Sequence, residues 1–130
     1  MIEVAMVFDK EGKALFWLGP RDHTSSSIPD SQVMWQRIWE YRDIIGGVAH
    51  THPWDGHPWP SDTDVTTFSA VERGLGKRLI WPIITMDDAS FFKWFHRPNS
   101  ELYYQPVKWP YRFTTHWLEN IIEMRRLSSS

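Results

Sequence analysis

Residues 48–64 read VAHTHPWDGHPWPSDTD, and this stretch constrains the fold more than any other. Residues 48–52 are short and begin apolar, which predicts a buried strand that ends at two histidines. Three prolines and a glycine occupy the next eight residues, so we predict a loop there. Ser61 at an N-cap position, with Asp64 three residues later, resembles a capping box and predicts that a helix begins here.

The two histidines and Asp64 have the chemistry of a metal site. Side chains alternate along a strand, so His50 and His52 share one face, with Cα atoms about 6.5–7 Å apart. From there two imidazole nitrogens can reach one zinc ion at roughly 2.0–2.1 Å, and Asp64 can supply a third ligand beside a water. Imidazole with carboxylate suits zinc better than copper(I) or an iron–sulfur cluster. Ser61 lies on the same helix face as Asp64, so its hydroxyl could donate to a developing oxyanion.

Each of these residues alone also has a purely structural explanation. A single histidine is more often packed or solvated than bound to metal. Asp64 could be a helix N-terminal acid stabilised by the helix dipole, and Ser61 could be only an N-cap. We favour the metal site because the whole string is far more specific than any part of it.

The pattern HTHP at 50–53, followed by PSDTD at 60–64, resembles the signature of the JAMM/MPN (JAB-type) zinc metalloproteases. Residues 44–49 are also similar to the family's approach to that signature. The resemblance implies an α/β fold in which a mixed β-sheet is flanked by helices, related to the cytidine-deaminase architecture. It also implies zinc-dependent hydrolysis of a peptide or isopeptide bond at the C-terminal tail of a ubiquitin-like protein, here by a compact prokaryotic-type member.

The sequence departs from the family pattern in three respects. The loop before Ser61 is one residue longer than usual, which makes Asp62 an alternative ligand, although the Pro-Ser-x-x-Asp register favours Asp64. The helix that normally precedes the catalytic glutamate is missing, and so are the long insertions of ubiquitin-specific members. The alternative function is therefore a non-catalytic MPN-like scaffold, whereas a zinc deaminase would need a Cys-x-x-Cys pair that this chain lacks.

The mechanism implied by the resemblance needs a carboxylate as general base, and the candidates are Glu3, Glu11, Glu40 and Glu72. Glu11 falls in a predicted turn, and Glu40 and Glu72 fit exposed helix positions. Glu3 stands in an otherwise apolar strand, where an acid needs a reason. We therefore predict that Glu3 is the base, and the alternative is that it marks the exposed start of an edge strand.

Aromatic residues accompany the predicted site. Trp54, His57 and Trp59 lie in the loop beside the metal ligands, where they could form a wall for the substrate or merely pack the loop. Trp35 and Trp39 fall on the preceding helix, and we predict that they belong to the core.

The remaining sequence predicts further strands and helices. Strands are predicted at 2–8, 13–18, 78–86, 90–96 and 101–105, and helices at 29–45, from Ser61 to Gly74 or Gly76, and from Thr115 onward. Gly46 and Gly47 are predicted to end the first helix. Pro82 suggests that its strand lies at a sheet edge or carries a bulge.

Composition narrows the class of protein. The chain has 130 residues and a mass of 15.5 kDa, which fits one domain over 1–127 with a frayed tail at 128–130. A net charge of −2 offers no basic excess to attract nucleic acid. Cysteine is absent and no apolar stretch has transmembrane length, so we expect a cytoplasmic protein without disulfides or membrane contact.

Overall fold

Strands and helices alternate along the chain in the computed structural model, which describes residues 3–18, 32–52, 56–96, 103–108 and 115–129. The described elements are β1 (Ala5–Asp9), β2 (Ala14–Leu18), α1 (Gln32–Glu40), β3 (Ile45–Thr51), α2 (Asp62–Leu75), β4 (Trp81–Ile84), β5 (Ala89–Trp94), β6 (Tyr104–Val107) and α3 (Thr115–Ser128). The strands form one sheet in the order β2-β1-β3-β4-β5-β6. β3 and β4 run parallel and the other neighbours are antiparallel, so the predicted mixed sheet is confirmed.

Helices cover both faces of the sheet because the strands are apolar on both sides. On one face the buried residues of the sheet pack against α1 and α2, through Met34, Ile38, Phe68 and Val71. On the other face they pack against α3, through Trp117 and Met124. The predicted arrangement of a sheet flanked by helices is therefore confirmed, while its membership of a particular fold family stays a prediction.

The unit β3–α2–β4 places the histidines. Parallel strands need a crossover connection, and α2 supplies it between β3 and β4. The carboxyl end of β3 and the first turn of α2 therefore meet at one end of the sheet, the position at which open α/β sheets bind ligands. His50 and His52 lie at this end.

The prediction that Gly46 and Gly47 end the first helix is wrong. Both glycines belong to β3. α1 already ends at Glu40, and a series of turns leads into β3 at Ile45. A Cβ atom on Gly47 would overlap the backbone carbonyl of Ile80, and one on Gly46 would overlap the carbonyl of Asp9. The two glycines thus allow β3 to approach the chain on either side of it.

Pro82 does not lie at a sheet edge, because β4 is flanked by β3 and β5. Pro82 lies between two segments of β3–β4 pairing, at a position where the two strands are not paired. Ile80 forms an isolated bridge with Gly47, and regular pairing resumes only at Ile83 with His50. An interior strand tolerates the missing N–H at this gap.

Trp35 and Trp39 are not core residues, since their side chains are 38% and 45% exposed. α1 instead buries Met34 and Ile38, which face the sheet. Each tryptophan follows one of these residues directly and is therefore rotated by about 100° around the helix.

Ser128 is not part of a frayed tail, because it is the last residue of α3 and its side chain is buried. The predicted helix start at 29–31 lies outside the described residues, and so does the first half of the strand predicted at 101–105. Within the part of the chain that the structure describes, no helix combines the length and the apolar character needed to cross a bilayer.

Candidate metal centre

Two elements bring the predicted ligands together. His50 lies in β3 and His52 directly follows it, so the two imidazoles point to the face of the sheet that α2 covers. Asp64 is the third residue of α2, and Ser61 is its N-cap. The hydroxyl of Ser61 accepts a hydrogen bond from the Asp64 backbone N–H, and the Asp64 carboxylate accepts one from the Ser61 N–H, each at 3.0 Å. This confirms the capping box and fixes the carboxylate against the histidines.

Three ligand atoms converge at the centre. The Nε2 atoms of His50 and His52 lie 3.0 Å apart, and Oδ2 of Asp64 lies 3.2 Å from the first and 2.9 Å from the second. A near-equilateral triangle with sides of about 3 Å has its corners about 1.8 Å from the centre, so one ion can be 2.0–2.1 Å from all three. All three side chains are buried.

Hydrogen bonding alone explains this triangle poorly. The Nε2 atom of a neutral imidazole carries either one proton or one lone pair, so the three mutual contacts cannot all be good hydrogen bonds. Burial lowers the pKa of His50 more than its contact with Asp64 raises it. Burial opposes ionisation of Asp64, but hydrogen bonds from both histidines hold its pKa well below the usual range. Two imidazoles and a carboxylate at these distances form a donor set that could hold a metal ion.

Asp62, the alternative ligand, does not join the centre. It is exposed, and among the described residues the group that could hold a metal consists of His50, His52 and Asp64.

Glu3 lies beside this centre. β1 and β3 are antiparallel with Ala5 opposite His50, and the Thr51 N–H donates to the Val4 carbonyl at 3.0 Å. Continuing this register by one residue places Glu3 across from His52 on the same face. β1 lies between β2 and β3, and Glu3 is only 2% exposed, so the alternative of an exposed start of an edge strand is wrong.

The environment of Glu3 is unusual for a carboxylate. Among the described residues, its Oε2 atom has no hydrogen-bond partner. Burial, and then the negative charge of Asp64, raises the pKa of Glu3 from 4.5 to about 8. The register of β1 and β3 places this carboxyl on the face of the sheet that carries His52.

The three other candidate glutamates do not belong to the group of ligands among the described residues. Glu11 and Glu40 are exposed, as predicted. Glu72 is buried, contrary to our prediction, and its carboxylate accepts hydrogen bonds from four donors: Arg78 Nη1, the Leu79 N–H, Trp81 Nε1 and Tyr104 O–H. Burial and the Glu72 carboxylate raise the pKa of Tyr104. This network joins α2 to β4 and β6 and has a structural role.

Ser61 keeps a donor for other partners. Its oxygen accepts from the Asp64 N–H, so this contact does not use the hydroxyl proton. The residue is exposed, next to a buried ligand. A substrate oxygen near the centre could therefore receive a hydrogen bond from Ser61.

The loop before α2 carries His57 and Trp59, whereas Trp54 lies outside the described residues. Trp59 is 50% exposed, and its ring lies 5.5 Å from that of Phe92 and 5.7 Å from that of His57. His57 is exposed, with Nδ1 3.9 Å from an oxygen of Asp88. Both rings are exposed in the segment that leads to Ser61 and α2.

Sequence reasoning missed how this loop is held. The Thr85 hydroxyl donates to the Gly56 carbonyl, and the Gly56 N–H donates to Asp87, both at 2.9 Å. Arg125 of α3 donates to the Thr85 carbonyl at 2.8 Å. Asp87 was recognisable only as part of a turn, because Gly56, its partner in the loop, lies 31 residues away in sequence.

Neither a protein-family model nor a curated protein matches this sequence. The functional assignment therefore depends on the geometry of the centre and on the motif that builds it.

Proposed function

We propose that the protein is a zinc-dependent peptidase or isopeptidase of the JAMM/MPN type, which hydrolyses an amide bond at the C-terminal tail of a ubiquitin-like protein in the cytoplasm. The observation that carries the proposal is the convergence of His50, His52 and Asp64 on one point, with the buried carboxylate of Glu3 beside them. The peptide chemistry and the substrate class come from the resemblance of the HTHP…PSDTD pattern to that family.

His50, His52 and Asp64 would hold the zinc ion. Zinc, when bound, would supply Lewis-acid activation of water and of the scissile carbonyl. The three side chains are buried and locked by the capping box and by the strand, so the donor set is preorganised.

Glu3 would act as general base. It would accept a proton from the attacking water and deliver it to the leaving amine as the C–N bond breaks, which leaves a carboxylate and a free amine. A base must be ionised, and the pKa of Glu3 near 8 describes the protein without a cation. A divalent cation nearby favours the ionised form and would lower this pKa.

Ser61 and the loop would bind the substrate. The Ser61 hydroxyl would donate to the oxyanion that develops on the attacked carbonyl. Trp59 and His57 would line the path of the extended tail, and the ring of Trp59 packs against that of Phe92. The tail would lie along a sheet edge as an added strand.

The deciding experiment combines metal analysis with cleavage. Purified protein is expected to contain about one zinc per chain and to cleave a ubiquitin-like fusion or an isopeptide conjugate. His52→Ala should lose both properties, whereas Glu3→Gln should retain zinc and lose cleavage. Exposed His116 and Glu11 offer matched controls, since His116→Ala and Glu11→Gln should change neither.

The outcomes separate the parts of the proposal. A wild-type protein that binds no zinc would refute the metal centre. Full cleavage by Glu3→Gln would refute only the assignment of the base. A zinc-loaded protein that cleaves no conjugate would favour the non-catalytic scaffold.

A further inference from the structure

A group of basic side chains lies at the end of the sheet opposite the metal centre. Three clefts of about 420, 550 and 450 Å³ meet there around Lys77, which lines all of them. The basic residues that line these clefts form what we call the basic end surface: Lys10, Arg42, Arg73, Lys77, Arg78 and Lys93.

The position of this surface follows from β3. Ile45 and Gly46, at the start of β3, line one of the clefts, whereas His50 lies near the end of the strand. At about 3.3 Å per residue, the surface and the metal centre are on the order of 15 Å apart. A ligand of the basic end surface would therefore not contact the metal ligands.

Cations from several elements converge here. Arg73 and Lys77 lie at the carboxyl end of α2, where the helix dipole favours positive charge. The dipole does not account for Lys10 after β1, Arg42 after α1 or Lys93 in β5. The local excess of positive charge is therefore larger than the stability of one helix requires.

Few carboxylates balance these cations. Among the described residues that line the clefts, the acids are Asp43 and Glu72. Glu72 is buried and already bonded to four donors, one of them Arg78. Lys77 donates to the Arg42 carbonyl at 2.6 Å, which occupies one of the three N–H bonds of its ammonium group. The whole chain has a net charge of −2, so positive charge is segregated at this end.

We propose that the basic end surface binds an acidic segment of a partner protein. Several carboxylates spaced along an extended chain match cations that are spread over adjoining clefts. Trp39 lines one cleft and is 45% exposed beside Arg42, so it offers an apolar contact to a side chain between the carboxylates. A nucleic acid is disfavoured as the occupant because the rest of this acidic protein repels a long polyanion. The proposal is independent of the catalytic one.

Fluorescence anisotropy tests it with a labelled peptide of alternating Glu and Leu residues. The comparison ligands are the same peptide with Gln in place of Glu, and a single-stranded oligonucleotide of equal charge. We expect saturable binding of the acidic peptide that weakens as salt is raised. The double variant Arg73→Glu/Lys77→Glu should weaken it by about tenfold. The control is Lys108→Glu. Lys108 is exposed and follows the end of β6 that lies away from Lys93, so this variant should change the affinity for the acidic peptide less than about twofold.

Zinc content and the circular dichroism spectrum of the double variant should match those of the wild type, because the surface lies away from the metal centre. Equal binding of the acidic and the Gln peptides would overturn the proposal. So would equal affinity of the wild type and the double variant, or tighter binding of the oligonucleotide than of the acidic peptide.

Discussion

Replacing Glu3 with glutamine should stabilise the protein in the absence of metal, and the gain should grow with pH. The pKa of Glu3 is about 8 in the folded protein and near 4.5 when the chain is unfolded. Between these values the folded state holds a proton that the unfolded state releases. Stability is therefore lost as the pH rises from about 4.5 to 8, and glutamine removes this loss because it does not titrate.

The magnitude follows from the two pKa values. Each pKa unit corresponds to about 1.4 kcal/mol, so the cost of Glu3 approaches about 5 kcal/mol above pH 8 and is about 3 kcal/mol at pH 7. The free energy of unfolding of Glu3→Gln should thus exceed that of the wild type by about 3 kcal/mol at pH 7 and by almost nothing near pH 4.5. In a domain of this size, such a gain raises Tm by roughly 10 °C.

Urea unfolding at a series of pH values, with a chelator present, measures this gain. Glu11→Gln, at an exposed turn position, is the matched control and should follow the wild type throughout. Saturating zinc should shrink the difference, because a cation stabilises the ionised carboxylate. A gain that stays constant from pH 5 to pH 8 would refute our account of the Glu3 environment.

Three further predictions concern the centre and its support. Zinc at about 100 times its Kd should raise the unfolding free energy of the wild type by about 2.7 kcal/mol, which appears as a higher Tm in thermal scans. The Tm of His52→Ala should not change when zinc is added. Glu72→Gln should lower the free energy of unfolding, measured in urea, by about 2–4 kcal/mol, because four donors lose a carboxylate acceptor. The control Glu40→Gln, at an exposed position, should lower it by less than about 0.5 kcal/mol, and equal losses for the two variants would contradict the buried network. Thr51→Val removes the hydroxyl that accepts from the Val4 N–H, so it should lower the free energy of unfolding by about 1–2 kcal/mol. Thr51→Ser keeps this bond and loses only a buried methyl group, so it should cost about 0.8 kcal/mol; a serine variant less stable than the valine variant would argue against this bond.

The convergence of His50, His52 and Asp64 was predictable because its signals are local. The ligands occur within fifteen consecutive residues, 50–64, and strand alternation and capping chemistry alone bring His50, His52 and Asp64 to one place. Glu3 was predictable as an acid in an apolar strand, although its position beside Asp64 required the pairing of β1 with β3.

The errors arose where distant partners decide the outcome. Glu72 is buried because donors from β4 and β6 reach it, and nothing in the sequence around it indicates these partners. The helical spacing of Trp35 and Trp39 is the same as that of Met34 and Ile38, so periodicity could not show which pair faces the sheet. Gly47 resembled a helix terminator because its neighbour Ile80 is distant in sequence.

The hydroxyl of Thr51, between the two histidines, also contacts that of Ser128 at 3.1 Å. A centre whose proposed functional residues lie between positions 3 and 64 is thus supported from behind by the last residue of α3. During synthesis, a nascent chain that has already released all the metal ligands from the ribosome still lacks this support. We therefore expect the centre to reach its final order only after α3 emerges, so tight capture of a metal ion would follow the synthesis of α3.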